Sequence, residues 1–262
     1  MQNTQLSIFD LPSTSSTESS TTPASIIPFP NSPKNLHPNR KPQQRVSPIR
    51  DPKKVTEIYH SLLQSGRYGL RNACIFALQL AIGRRTNDIL SLKIQDVFNY
   101  SINSPKSIIT VDEHKTGKTA RDLPLDSQTQ SILSRYIHTL KNKAPQALLF
   151  PSQKKNLDGT QRPLNTASLD YIYQTYTSKL FTPEDEQTHI SSYAARKTYG
   201  YNIYNECKKN HNGALPGTSI SALQYVQSVF NHESALTTMR YIGAYDAPAA
   251  ELAESISSQY DF

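Results

Sequence analysis

Apolar residues recur with two different periods along this chain, and the switches between them outline its elements. From 51 to 64, Val55, Ile58, Tyr59 and Leu62 share one helical face, with Asp51 placed to cap the first turn. Gly66 and Gly69 interrupt that run. The stretch 73–82 is apolar nearly all round, which predicts a central buried helix closed by Gly83, and a shorter helix follows at 86–92. At Ile108, Ile109, Thr110 and Val111 the chain turns β-branched. Lys115-Thr116-Gly117-Lys118 and then Arg121-Asp122-Leu123-Pro124-Leu125 come next, so a hairpin is expected whose loop carries two lysines. Helical spacing resumes over 127–141, with Ile132, Leu133, Tyr136, Ile137 and Leu140 on the core face. Further helices are predicted at 165–180, 191–207, 219–230 and 234–241, and a terminal one at 247–257. The pattern contains no internal repeat. The expected fold is mainly α with a small antiparallel β-sheet, an α+β arrangement.

Composition changes this picture at the N-terminus. Residues 1–48 are dominated by Ser, Thr, Pro, Asn and Gln, which cannot bury enough apolar surface to offset the entropy of ordering. They are expected to form a disordered tail, and 49–262 a single folded domain. The 28 Lys and Arg against 21 Asp and Glu leave a charge of +7, which favours a polyanionic partner without requiring one. Cys74 and Cys207 lie in apolar, helix-like contexts without metal-ligand spacing, a usage that suits a reducing cytoplasm. No stretch resembles a secretion signal or reaches the ~18 apolar residues that span a bilayer. The expectation is a soluble protein of the cytoplasm, associated with the nucleoid, with no membrane partner.

Candidate chemistry falls in four separated segments. The first, Gly83-Arg84-Arg85-Thr86-Asn87-Asp88-Ile89-Leu90, sets an arginine at a helix end with a carboxylate three residues on. The second is the hairpin loop, where Lys115 is available as a proton donor. In the third, Tyr193-Ala194-Ala195-Arg196-Lys197-Thr198, Tyr193 and Arg196 share a helical face, a workable clamp for phosphate oxygens. The fourth joins Phe230-Asn231-His232 to Thr237-Thr238-Met239-Arg240-Tyr241-Ile242-Gly243. The first three each have a plainer reading alone: a surface ion pair, a solvated turn, a tyrosine packed on an arginine stem. A histidine followed nine residues later by Tyr-Ile-Gly is harder to ascribe to helix packing.

Taken in order, the four segments resemble the tyrosine recombinase (phage integrase) family over residues 50–245. The resemblance implies that family's catalytic-domain fold, with Tyr241 as nucleophile and Arg85, Lys115, Arg196 and His232 around it. Tyr241 would attack the scissile phosphodiester, form a 3′-phosphotyrosyl link and release a 5′-hydroxyl. Arg85 and Arg196 would hold the non-bridging oxygens, Lys115 would protonate the leaving oxygen, and His232 would orient the phosphate. No metal or other cofactor is implied. Arg84, Lys118, Arg121, Lys197, Lys208, Lys209 and Arg240 are expected as further DNA contacts. The partner implied is double-stranded DNA, bound by a homotetramer whose C-terminal segment, 247–262, docks on a neighbour.

Three departures qualify the resemblance. Tyr193 stands where the family usually has His, and a phenol is a poor base at neutral pH although it donates a hydrogen bond. A basic stretch, Lys208-Lys209-Asn210-His211-Asn212-Gly213, reads equally well as a DNA-facing loop or as a solvated insertion. The tail cannot form the N-terminal helical domain that usually completes the family's grip on DNA, so the tail or an accessory DNA-binding protein must help. Within the tail, Gln5-Leu6-Ser7-Ile8-Phe9 resembles the short peptide that docks on the bacterial sliding clamp, with Gln5, Leu6 and Phe9 as its anchors. Two other readings stay open at this point: a type IB topoisomerase-like enzyme, and a DNA-binding relative that has lost catalysis.

Overall fold

The computed structural model describes residues 46–111, 121–182, 185 and 189–244. Helix α1 (Pro52–Leu63) starts at its sequence-marked cap: the Asp51 carboxylate accepts from Lys53 N at 2.9 Å, and Pro52 presets the first-turn geometry. After one 3₁₀ turn at Gly66–Tyr68, α2 (Gly69–Ile82) begins four residues earlier than apolar spacing suggests. Its first turn buries Arg71 and Asn72, polar residues that such spacing does not register. They satisfy each other, Arg71 donating to Asn72 Oδ1 at 3.0 Å and Asn72 to Ser65 Oγ at 2.9 Å.

Gly83 ends α2 in a left-handed conformation, φ 58°, with the Tyr199 ring packed where a side chain would stand: a Cβ would come within 2.2 Å of it. Short helices α3 (Thr86–Leu90) and α4 (Ile94–Val97) follow. Strands β1 (Phe98–Asn99) and β2 (Ser104–Pro105) pair antiparallel, as do β3 (Ile108–Val111) and β4 (Arg121–Pro124), the hairpin expected from the sequence. Along β3, Ile109 and Val111 are buried and Ile108 and Thr110 exposed, the period-two signal made physical. Helix α5 (Ser127–Thr139) is capped by Asp126. A third hairpin, β5 (Pro151–Lys155) with β6 (Gln161–Pro163), then precedes α6 (Thr166–Thr177). The chain closes with α7 (Ser192–Asn210), α8 (Ala222–Phe230) and α9 (Ala235–Tyr241). The α+β class holds, but the single small sheet expected is three separate two-stranded pairs among the described residues. The helix expected at 247–257 lies outside them.

Two apolar clusters organise these elements. The larger is built mainly from Ile, Leu and Val of α1–α6 and the β3–β4 hairpin. The smaller gathers Tyr199, Val226, Val229, Phe230, Ile242 and Ala244, with Tyr241 packed against it. Helix α7 serves both, Ala194 and Ala195 in the first and Tyr199 in the second. Residues 46–50, which the composition partly assigns to the tail, run along α7. Lys197 Nζ donates to Val46 O at 2.7 Å, Ile49 N donates to Thr198 Oγ1 at 2.8 Å, and Arg50 Nη2 reaches Gly243 O at 3.3 Å. Cys74 and Cys207 are buried free thiols, and burial raises the pKa of each. No helix among the described residues is long and apolar enough to cross a membrane.

Candidate active site

A buried polar network sets the two arginines of the site relative to each other. Gln79, inside α2, donates to Thr86 Oγ1 and to Ser192 O, each at 3.2 Å, and accepts from the Tyr173 hydroxyl at 2.6 Å. Thr86 also donates to Ser192 O at 3.1 Å. These bonds tie the start of α3 to the start of α7. Arg85 is the residue just before α3, and Arg196 lies one turn into α7.

Arg196 is 4% exposed and reaches the end of α8. Its Nη2 donates to Phe230 O at 3.1 Å, a helix-terminal carbonyl without an intrahelical partner. Its guanidinium also lies 4.5 Å from the centre of the Phe230 ring. Asn231, left-handed at φ 56°, turns the chain so that His232 folds back, its N–H on Gln227 O at 3.0 Å. Ser234 caps α9, accepting from Thr237 N at 3.1 Å, and Tyr241 is that helix's last residue. Phe230, His232 and Tyr241 then pack edge to face around one point. Their ring centres are 5.4 Å apart for Phe230 and His232, 5.3 Å for Phe230 and Tyr241, and 5.1 Å for His232 and Tyr241.

His232 Nδ1 lies 3.1 Å from Thr238 Oγ1, which also reaches Ser234 O at 3.3 Å, so the ring is held from its Nδ1 side. Desolvation, then the charges of Arg196 and Arg85, push the His232 pKa down to about 4, so the ring is neutral near pH 7. Burial raises the Tyr241 pKa above its ordinary value, against the lowering effect of Arg196, which both attracts and hydrogen-bonds the phenol, and of Arg85; Tyr193 raises it further. The resting phenol is protonated, beside a neutral imidazole and within the field of the Arg196 and Arg85 charges. That arrangement is suited to an anionic electrophile, whose charge the arginines stabilise while the phenol loses its proton.

Arg85, Arg196, His232 and Tyr241 are thus brought together as the sequence suggests, with Tyr193 at their edge and 53% exposed. Lys115 and Lys118 lie outside the described residues, as does the side chain of Arg121. One expected DNA contact, Arg84, is corrected. Arg84 is 1% exposed and bonded to two backbone carbonyls, Val229 O and Val111 O. Lys197 is half-buried, with its ammonium on Val46 O and 4.9 Å from the centre of the Tyr241 ring. A run of charge in the sequence does not tell which member faces inward. Lys208 and Lys209 are exposed at the end of α7, and Arg240 is exposed on α9. The basic stretch beyond them is a helix end and a left-handed turn through Asn212 and Gly213, rather than an extended loop. Gln5, Leu6 and Phe9 lie outside the described residues. Sequence reasoning missed Phe230, Thr238 and the Gln79 network. Phe230 and Thr238 were visible as neighbours of His232 and Tyr241, whereas nothing in the apolar spacing singles out Gln79. Among the described residues no group of three His, Cys, Asp or Glu side chains stands ready to hold a metal ion.

Comparison with known proteins shows which family the chain and its fold resemble. Residues 50–247 match the model of the phage integrase family. A probable integrase/recombinase of Bacillus subtilis (strain 168), YoeC, is 28% identical over 198 residues, 76% of this chain and 90% of that one. The tyrosine recombinase XerC of the same organism is 25% identical over 207 residues, 77% of this chain and 58% of its own length. Among solved structures, the post-cleavage complex of the XerH site-specific recombinase with a palindromic difH substrate superposes with a TM-score of 0.53 at 21% identity. That alignment covers 81% of this chain and 54% of that one, and at this identity it speaks for the fold.

Proposed function

The chain belongs to the phage integrase family, and from that premise we propose that it is a site-specific DNA recombinase that cuts and rejoins strands through Tyr241. The observation that carries this reading is the meeting of Tyr241, a neutral His232 and the two buried-network arginines at one point, 5.1 Å separating the His232 and Tyr241 rings. Tyr241 Oη forms the new bond to phosphorus as the bond from phosphorus to O5′ breaks. The phenol gives up its proton to solvent as the bond to phosphorus forms, His232 orients or hydrogen-bonds the phosphate, and Lys115 supplies the proton for the leaving O5′. Arg85 and Arg196 bind the non-bridging oxygens and counter the charge that grows on them. The phosphotyrosyl link keeps the energy of the phosphodiester, so a second 5′-hydroxyl reverses the step on a new partner strand.

The same reading takes double-stranded DNA as the partner and the nucleoid as the place of action. Four copies act together, with 247–262 reaching a neighbour. Residues 5–9 supply a sliding-clamp peptide, which a pull-down of bacterial clamp by residues 1–20 tests; equal capture by a Leu6→Ala, Phe9→Ala double variant would sink it. Salt must weaken DNA binding steeply, because phosphate contacts release counterions. The central test is covalent capture from a random-sequence library of nicked duplexes. Wild type is expected to give a denaturation-resistant adduct and Tyr241→Phe none; an adduct in the variant overturns the nucleophile. Joining of two captured sites, as opposed to relaxation of one supercoiled circle, separates recombination from topoisomerase activity.

A further inference from the structure

A cavity of about 540 Å³ opens between the start of α2, the end of α5 and the β5–β6 hairpin. Small-molecule sites span about 300–1,000 Å³, so the space suits a ligand of modest size. It is remote from the catalytic groups. Arg71, at the cavity, and Gly83, at the far end of α2, are twelve residues apart, about 18 Å at 1.5 Å per residue. Leu70, Leu140, Leu148 and Pro151 give the cavity an apolar wall, and Ser152 and Gln161 line it from the hairpin.

The decisive group is Arg71, which lines this cavity although it is only 6% exposed. Its Nε and Nη2 both donate to Asn72 Oδ1, at 3.3 and 3.0 Å, which occupies one edge of the guanidinium. Asn72 is itself held by Ser65 Oγ, and the Tyr68 ring lies 4.6 Å from the guanidinium carbon, so the group is fixed before any ligand arrives. Among the described residues Nη1 has no hydrogen-bond partner, and no carboxylate lies within ion-pair distance of the guanidinium. A charge so buried is ordinarily paired, because its desolvation is otherwise uncompensated.

We propose that this cavity is a second anion site, which takes a phosphomonoester carried on a small apolar body. The unused edge of Arg71, Nη1 with the remaining proton of Nη2, offers two parallel donors in the fork that grips two oxygens of one anion. Arg67 and Lys141 stand exposed at the rim, and no Asp or Glu is among the lining residues, so three positive charges meet the ligand. A phosphomonoester, with a charge near −2 at neutral pH, answers that field better than a carboxylate does. The first turn of α2 and the last turn of α5 bring opposite helix ends to the cavity, so their dipoles offset and the side chains set its sign. The apolar wall gives the body of the ligand a place out of water.

Calorimetric titration of the full chain tests this with phenyl phosphate as the probe, beside inorganic phosphate, which lacks the body, and benzoate, which lacks the second charge. Wild type and Arg85→Ala are titrated side by side, since the catalytic arginines also attract phosphate; binding common to both belongs to the cavity. That shared component should favour phenyl phosphate over either comparison anion by about tenfold or more. Arg71→Met should weaken it by at least about tenfold, the loss of a charge-assisted pair, and Arg67→Ala or Lys141→Ala by about two- to fivefold, as for exposed charges. Ser152→Trp fills the cavity without touching Arg71 or Asn72 and should abolish it, which decides the matter if Arg71→Met fails to melt cooperatively. No component shared by wild type and Arg85→Ala, or one that Arg71→Met and Ser152→Trp leave intact, overturns the site. Benzoate bound as tightly as phenyl phosphate overturns the choice of phosphate.

Discussion

The two apolar clusters are made of different materials. The larger is mainly aliphatic, though Phe76, Phe98, Tyr136, Phe150 and Tyr173 belong to it; it is built chiefly on α1–α6 and the β3–β4 hairpin and carries none of the groups placed in the proposed reaction. The smaller is richer in rings, drawn from α7, α8 and the residues just after α9, with Tyr241, the proposed nucleophile, packed against it. Aliphatic packing sets how far apart helices lie and tolerates exchange of one apolar residue for another of similar volume. Edge-to-face rings also fix orientation. The contrast suggests that mutations of similar cost to stability will have unequal costs to chemistry, depending on which cluster they strike.

The largest separation is expected between Arg196 and Arg71, two of the buried arginines. Arg196→Ala removes a phosphate clamp and leaves Phe230 O without its donor, so adduct formation should fall by about 10²–10³-fold, as for loss of one preorganised donor. Arg71→Ala, in the larger cluster's half of the molecule, should lower the melting temperature and leave the cleavage rate of the folded fraction near wild type. Parallel loss of rate in both would erase the contrast. Next come truncations of similar thermodynamic size. Phe230→Ala and Leu78→Ala each remove a fully buried side chain and should cost about 3–5 and 2–5 kcal/mol in urea unfolding. Measured where both remain folded, Phe230→Ala should cleave ~100-fold more slowly, since small misplacements of reacting groups are that costly, and Leu78→Ala should not.

A smaller effect is expected from overpacking the aromatic cluster. A Cβ at Gly200 would stand 2.8 Å from Phe230 and from Ile242, so Gly200→Ala should destabilise by about 1–3 kcal/mol and slow cleavage beyond what its folded fraction explains. Unchanged stability would mean that the cluster is looser than its distances indicate. The smallest is a pH effect. His232 has its pKa depressed in the folded chain, to about 4, so the unfolded chain takes up the proton more readily below its ordinary value near 6.5. The neutral ring's contribution to stability is whole above about pH 6.5 and is lost as the pH falls toward 4. Urea midpoints should decline across that window, and His232→Gln should flatten the decline; an unaltered slope would assign it to other groups.

The same contrast explains what the sequence disclosed. Helices facing the aliphatic cluster announce themselves by spacing, as Ile132, Leu133, Tyr136 and Ile137 do on α5, all within 127–139 of an expected 127–141. The hairpin at β3 was legible because one face is buried and the other is not. The β5–β6 pair was not, because Gln153, Lys154 and Lys155 are all exposed and give no alternation. In the site, residue types that do chemistry stood out, and their grouping in order brought Arg85, Arg196, His232 and Tyr241 into view. What stayed hidden was orientation. Arg84 and Arg85 are neighbours of one charge, yet the first is buried on backbone carbonyls and the second faces the site, a distinction made by the turn at Gly83 and by carbonyls 27 and 145 residues away.

Residues 46–50 carry a practical lesson for anyone who shortens this chain. Lys197, which lies over the ring of Tyr241, has its ammonium on Val46 O, and Arg50 holds Gly243 O two residues past Tyr241. A cut placed before residue 46 keeps both anchors, whereas a cut at 51, where the first helix begins and a domain boundary looks natural, removes them together. A chain trimmed at the second point also loses Ile49 and Val46 from the larger cluster, so its stability and the support around Tyr241 are expected to fall together.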